Sequence, residues 1–170
     1  MELRAQGYIK AIGAGINYLG LIPRFLEIVD LDFFLIAMPY TLLRQEILET
    51  EFPAAVERGC GFVIGAPYQS GILASGSKNA KMSDYAPPSP EVIKQVEGIE
   101  AVCERHGVPL MAAAIQFTLG HPAVSSVIPG ARSPRHVQTT VDAFKHPIPA
   151  DFWAELKHEK LLREDAPVPA

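Results

Sequence analysis

The sequence predicts an α/β fold built on a parallel sheet, and three observations carry that prediction. Four short runs rich in Ile, Val and Phe punctuate the chain. Each is nearly continuous in apolar character rather than alternating, the pattern of strands covered on both faces. Helical patterns fall between and after them. Strand followed by helix, four times over, implies parallel strands joined by right-handed crossovers.

The first run spans Ile9 to Ala14, and the helix after it, Leu19 to Val29, places Leu21, Ile22, Phe25, Leu26 and Val29 on one stripe. The second spans Phe33 to Met38 and is followed by a helix from Leu42 to Arg58, with Gly59 as its stop. The third spans Gly61 to Ala66. An irregular stretch from Ala74 to Pro88, rich in Ser, Gly, Lys and Pro, follows it. Ser89-Pro90-Glu91 then opens a helix as N-cap, first-turn proline and dipole-matched carboxylate. Val92, Val96, Ile99 and Cys103 mark its buried face, and His106-Gly107 closes it. A second helix runs from Pro109 to Leu119 and stops before His121-Pro122. The fourth strand spans Val124 to Pro129, and a last helix, Ala150 to Arg163, carries Phe152, Trp153, Leu156 and Leu161. Trp153 reads as core packing. Periodicity leaves an open sheet and an arc of a barrel equally available.

Composition narrows the function classes. With 170 residues, 48% of them apolar and 20% charged, the chain suffices for a folded domain. A formal charge of −4 argues against nucleic-acid binding, which needs a clustered basic surface. The absence of a long uncharged apolar run argues against a membrane span. Met1-Glu2-Leu3-Arg4 has no signal-peptide pattern, so a cytoplasmic location is expected. Cys60 and Cys103 have no metal-type spacing and read as buried, reduced thiols. No nucleophile elbow or metal cluster supports a hydrolase or lyase.

Ligands in parallel α/β folds sit at the carboxyl ends of strands, so the loops there carry the chemistry. Gly13-Ala14-Gly15-Ile16-Asn17 holds two glycines one apart but lacks the third glycine of a dinucleotide fingerprint. Asn17 offers a side-chain amide to a ligand carboxamide. Tyr40, after the second strand, is either a packed aromatic or a pocket residue. Pro67-Tyr68-Gln69-Ser70-Gly71-Ile72-Leu73 offers backbone N–H groups to phosphate oxygens, with Tyr68 as a stacking surface. Gly130-Ala131-Arg132-Ser133-Pro134-Arg135 combines a helix start with two guanidinium groups, a set suited to an anionic phosphate.

These four loops, in this order, resemble the aldo-keto reductase family, in particular its bacterial sugar and pyridoxal dehydrogenases. The match rests on Ile12-Gly13-Ala14-Gly15-Ile16-Asn17, Tyr40-Thr41-Leu42-Leu43, Ser70-Gly71-Ile72-Leu73-Ala74 and Val127-Ile128-Pro129-Gly130-Ala131-Arg132-Ser133, and covers nearly the whole chain. The resemblance implies one partial domain over 1–170, the C-terminal half, or last four β/α units, of a (β/α)8 barrel. It implies an NAD(P)-dependent oxidoreductase of sugar-like or pyridoxal-like alcohols and aldehydes. The alternative is a non-catalytic nucleotide-binding or regulatory half-barrel.

By the same resemblance, Asn17 lies near nicotinamide. Tyr68, Ser70, Gly71 and Leu73 lie in a pyrophosphate-covering loop, and Gly130, Arg132, Ser133, Arg135 and Gln138 lie around the adenosine phosphate and adenine. Gly15-Ile16 stands where the family commonly has Ser-Asn, Gly65 where many members have a stacking tyrosine, and Thr139-Thr140 where Glu-Asn contacts adenine. Gly130-Ala131 replaces the Lys-Ser of NADP-specific members, which tilts the expectation to NAD. The family's catalytic tyrosine, lysine, aspartate and histidine belong to the barrel's first half, and no residue here matches them. A half-barrel with open strand edges is expected to self-associate or to pair with an N-terminal half.

Overall fold

Four strands, hydrogen-bonded strictly in chain order, form the only sheet among the described residues: β1 (Gly13–Ile16), β2 (Phe33–Ala37), β3 (Gly61–Gly65) and β4 (Val124–Ile128). This computed structural model describes residues 2–169. Every neighbouring pair is parallel, with Gly13 opposite Phe33, Phe33 opposite Gly61 and Phe62 opposite Val124. An order without reversal makes each crossover step the same way. Right-handed crossovers then bring every connecting helix to one face of the sheet.

The burial pattern records that one-sidedness. Phe34 and Ile36 of β2 and Phe62 and Ile64 of β3 face the helices and are wholly buried. Their neighbours Phe33, Leu35 and Val63 point to the other face and stay partly open, as does the more exposed Ile128 of β4. The apolar runs were expected to be covered on both faces; here only one is covered. Phe33 lies across β1, where a Cβ at Gly13 would come within 2.5 Å of its ring. Only glycine leaves room there.

The helices are α1 (Glu2–Ala5), α2 (Leu21–Ile28), α3 (Glu51–Glu57), α4 (Ile72–Ser75), α5 (Pro90–His106), α6 (Leu110–Leu119), α7 (Pro134–Lys145) and α8 (Ala150–His158). Ser89 caps α5 through Val92 N–H, and Gly107 ends it in the left-handed region. The single long helix expected from Leu42 to Arg58 is broken into a Thr41–Arg44 tight turn, a 3-10 turn at Glu46–Leu48 and α3. Two causes are visible. Pro53 fits only a first helical turn, and the Gln45 side chain occupies the carbonyls of Thr41 and Leu42. The last helix ends at His158 instead of Arg163 because Lys160 turns left-handed, at φ 59°. Strand pairing begins at Gly13, four residues later than Ile9, because Ile12 N–H is taken by the Asp32 carboxylate (2.7 Å). The Ala74–Pro88 stretch is irregular, as expected, apart from the end of α4 and a 3-10 turn at Ser77–Asn79.

Aromatic contacts run as a chain through the core, from Phe25 to Phe34, Phe62, Phe52, Tyr40, Phe117 and Trp153. Trp153, 2% exposed, is core packing as read from sequence. Charged groups close the ends. Asp32 also receives Arg4, and these two donors hold its carboxyl below the ordinary range, the Ile12 N–H most of all. Arg105 and His106 of α5 bind Glu155 of α8.

Helix α2 has no side-chain cap of its own. Its first N–H groups are met from a distance in sequence: Glu51 Oε1 accepts Gly20 N–H at 2.7 Å and Ile22 N–H at 3.4 Å. That carboxylate is 1% exposed and joins α2 to α3. Glu51→Ala should therefore lower stability by about 1 kcal/mol, from the buried Ile22 N–H left without an acceptor, offset in part because Glu51 Oε2 is itself buried without a partner. A denaturant midpoint equal to the parent's would show that the cap contributes nothing.

Candidate functional site

The loops leaving the carboxyl ends of β1 to β4 share one rim of the sheet. Because β3 and β4 are neighbours, the loop after β3 and the start of α7 lie side by side. The Tyr68 hydroxyl donates to Thr140 Oγ1 across them, at 3.3 Å. Nine of the ten residues singled out from sequence fall on these two segments. Asn17, exposed just past β1, stands two strand spacings from the β3 loop and three from the segment after β4, about 10 and about 14 Å along the rim.

The loop after β3 has an unusual backbone. Ala66, Gln69 and Ser70 have φ of 52°, 46° and 54°, and Gly71 has 99°. Only Gly71 enters the left-handed region without a Cβ penalty. Ser70 Oγ accepts Tyr85 N–H (3.1 Å), folding the 76–88 segment back on the loop, and Arg44 pairs with Asp84 there (2.8 Å). Leu73 is wholly buried and its N–H is donated to the Tyr68 carbonyl (3.2 Å), so it presents neither side chain nor amide to a ligand; the same carbonyl takes the Gly71 N–H (2.8 Å), against the expectation of free N–H groups here. Tyr68 is 8% exposed and leaves little open ring for stacking. Burial raises its phenol pKa, and the Thr140 hydrogen bond pulls the other way.

The start of α7 is open. Ser133 Oγ caps the helix by accepting His136 N–H (3.3 Å), and Arg132 N–H donates to His136 Nδ1 (3.2 Å). Gln138 is held by Asp142 (2.8 Å). Arg132 and Arg135 are exposed, and among the described residues no carboxylate pairs with either. A Cβ at Gly130 would meet nothing within 4 Å. Two unpaired guanidinium groups, a capped helix of twelve residues and clear space in front of it fit an anionic phosphate.

Other reactive groups are packed away. Tyr40 is wholly buried against Phe52 and Phe117 and its hydroxyl has no partner, so it is a core aromatic; burial pushes its pKa well up. Cys60 and Cys103 are free and buried, as read from sequence. Burial raises both thiols, Cys103 to about 12, which keeps them protonated. Among the described residues no group of three or more His, Cys, Asp or Glu could hold a metal ion, and no helix is long and apolar enough to cross a membrane.

Sequence reasoning passed over Thr41, Gln69 and Tyr85 as parts of the site. Left-handed non-glycine residues such as Gln69 and Tyr85 leave no mark in composition, and Thr41 meets Gln69 only because β2 and β3 pair.

Residues 1–159 match the profile of the Aldo/keto reductase family. The chain is 43% identical over 162 residues to a pyridoxal 4-dehydrogenase of Microbacterium luteolum, covering 95% of this chain and 47% of that protein. It is 36% identical over 162 residues to a D-threo-aldose 1-dehydrogenase of a Pseudomonas species, covering 95% and 49%. Among solved structures, the holo form of an aldo-keto reductase from Bacillus halodurans superposes with a TM-score of 0.71 at 24% identity, covering 99% of this chain and 55% of that one. The chain thus spans about half the length of the curated relatives it matches.

His121, leading from α6 into the amino end of β4, gives a pH test of the core packing around Phe52 and Tyr40. Its Nδ1 accepts Ala123 N–H (3.1 Å), its ring lies edge-on to Phe52, and burial lowers its pKa below 6.5. The unfolded chain therefore takes up the proton first as pH falls. The contribution of His121 to stability is full above 6.5 and is lost as pH drops toward the depressed folded value. Denaturation midpoints measured across that window should slope downward with acid, and the slope should flatten in His121→Asn. An equal slope in both proteins would contradict the assignment.

Proposed function

The chain belongs to the aldo/keto reductase family, and on that premise we propose that it is the cofactor-binding half of an NAD(P)-dependent oxidoreductase of sugar-like or pyridoxal-like alcohols and aldehydes. The observation that carries this reading is the pair of unpaired arginines at the capped start of α7, a helix that the Tyr68–Thr140 bond ties midway along its length to the β3 loop. The substrate class follows from the relatives' names, pyridoxal 4-dehydrogenase and D-threo-aldose 1-dehydrogenase.

In this reading the Arg132 and Arg135 guanidinium groups hold the adenosine phosphate, with the Arg135 N–H beside them, since Pro134 has no N–H and those of His136 and Val137 are taken by Ser133. The turn at Ser70 and Gly71, beside Tyr68 and held from beneath by the buried Leu73, covers the pyrophosphate. Asn17, about 10 Å along the rim from that loop, meets the nicotinamide carboxamide. Gly130 leaves room for the sugar, and Gln138 borders the adenine. When bound, the nicotinamide supplies the two-electron redox chemistry. Gly130-Ala131 offers a 2′-phosphate neither charge nor hydroxyl, which favours NAD.

We also propose that these 170 residues form the last four β/α units of a (β/α)8 barrel, with the acid–base residues coming from outside them. Three features support it. The sheet runs in chain order with one face uncovered. Val137, Val141 and Phe144 form an exposed apolar stripe along α7, at one end of the helix layer. At the other end Leu3 and Ile28 are exposed. Both ends and the open face have the chemistry of surfaces awaiting a partner.

Calorimetric titration with NAD tests the binding site. Arg132→Ala with Arg135→Ala should weaken binding about tenfold or more. That is below the sum of two charge-assisted bonds at roughly 1.5–3 kcal/mol each, because both groups are solvated. Unchanged affinity would make this loop an ordinary solvated surface. Light scattering of the purified chain at micromolar concentration tests the half-barrel. A dimer or larger assembly without NAD(P)-linked turnover is expected. A stable monomer would overturn the assembly claim, and turnover by the chain alone would overturn the claim that the acid–base residues lie outside it.

A further inference from the structure

We propose that Thr41 is a positioning residue for the β3 loop: its hydroxyl, by holding the buried Gln69 side chain, sets the left-handed run 69–71 in shape before any ligand arrives. The proposal rests on the function proposed above for what the loop binds, but not for what holds its shape.

Two consecutive side-chain-bearing residues in the left-handed region are uncommon, because Cβ crowds the following carbonyl oxygen. Such a run persists only where its surroundings over-determine it. Three ties reach this segment. Ser70 Oγ accepts Tyr85 N–H, an exposed bond that water can replace. Tyr68 reaches Thr140 at 3.3 Å, a long bond at a partly buried position. The third is Thr41 Oγ1–H donating to Gln69 Oε1 at 2.8 Å, between residues 0% and 1% exposed. Water has no access to replace it, so the amide oxygen has no alternative donor without leaving the core. Turning Gln69 outward would carry its backbone, and that of Ser70 and Gly71, out of the present conformation.

Thr41 can serve as an anchor because it is itself fixed. Its backbone closes a tight turn with Arg44 through bonds of 2.8 and 3.0 Å, and its hydroxyl accepts Leu43 N–H at 3.3 Å. Gln45 Nε2 binds its carbonyl at 3.1 Å. This turn leaves β2, the strand paired with β3, so the anchor and the loop are carried by adjacent strands. Thr41 is therefore assigned no contact with a ligand. Its effect on binding passes through Gln69.

Hydrogen exchange and NAD titration on the whole chain, as the parent, Thr41→Val and Thr41→Ser, test this. Thr41→Val keeps the shape and removes the hydroxyl; Thr41→Ser restores it. In Thr41→Val the amides of Gln69, Gly71 and Leu73 should exchange about tenfold faster or more, with β2 and β3 unchanged, and NAD affinity should fall; Thr41→Ser should recover both. Parent-like loop exchange in Thr41→Val would overturn the proposal. So would faster exchange throughout the sheet that Thr41→Ser fails to reverse, since that marks a merely structural role. If the parent binds no nicotinamide nucleotide, the proposed function falls and the positioning claim is decided by the exchange data alone.

Discussion

Everything in this molecule depends on the helices lying on one face of the sheet. Four parallel strands that step always in the same direction leave right-handed crossovers no other choice. The covered face then carries the apolar burial, through Phe34, Ile36, Phe62 and Ile64 and the aromatic chain that continues to Trp153. The same constraint gathers the strands' carboxyl ends on one rim. It also leaves Phe33, Leu35 and Val63 on a face that nothing within residues 2–169 fully covers.

Polar groups hold the layers where apolar packing cannot specify geometry. Glu51 caps a helix that begins thirty-one residues earlier with Gly20, and Gln116 of α6 binds the carbonyls of Ala143 and His146 at the end of α7. Arg163 N–H reaches Gln45 Oε1, docking the tail on the segment after β2. Each joins elements far apart in sequence and buries at least one partner. Such bonds add little net stability apiece, but breaking one strands a buried group, so they select a single arrangement.

The candidate site divides labour along those lines. Buried bonds, Thr41 to Gln69 above all, shape the loop after β3, and the exposed arginines of α7 remain available for an anion. Preformed shape matters because any ordering left until binding would subtract from affinity. The chain belongs to the family across residues 1–159 and spans about half the length of the curated relatives it matches.

The sequence by itself determined the α/β class, the four strands, the capped helices and the family. Each of these is written in local pattern: apolar runs, Ser-Pro-Glu at a helix start, and four short loop motifs. It also placed Trp153, Cys60 and Cys103 in the interior, because large apolar and thiol side chains have little other use. It did not foresee the break between Leu42 and Glu51, where Gln45 turns its amide onto its own backbone. Nor did it foresee the depth of Tyr68 and Leu73, or the left-handed turn at Gln69. Only the tertiary structure decided those: Gln45 also accepts Arg163 N–H from the far end of the chain, Tyr68 meets Thr140, and Gln69 meets Thr41. Thr41 and Gln69 are adjacent only because β2 and β3 pair, and no spacing in the chain encodes a contact that strand pairing creates.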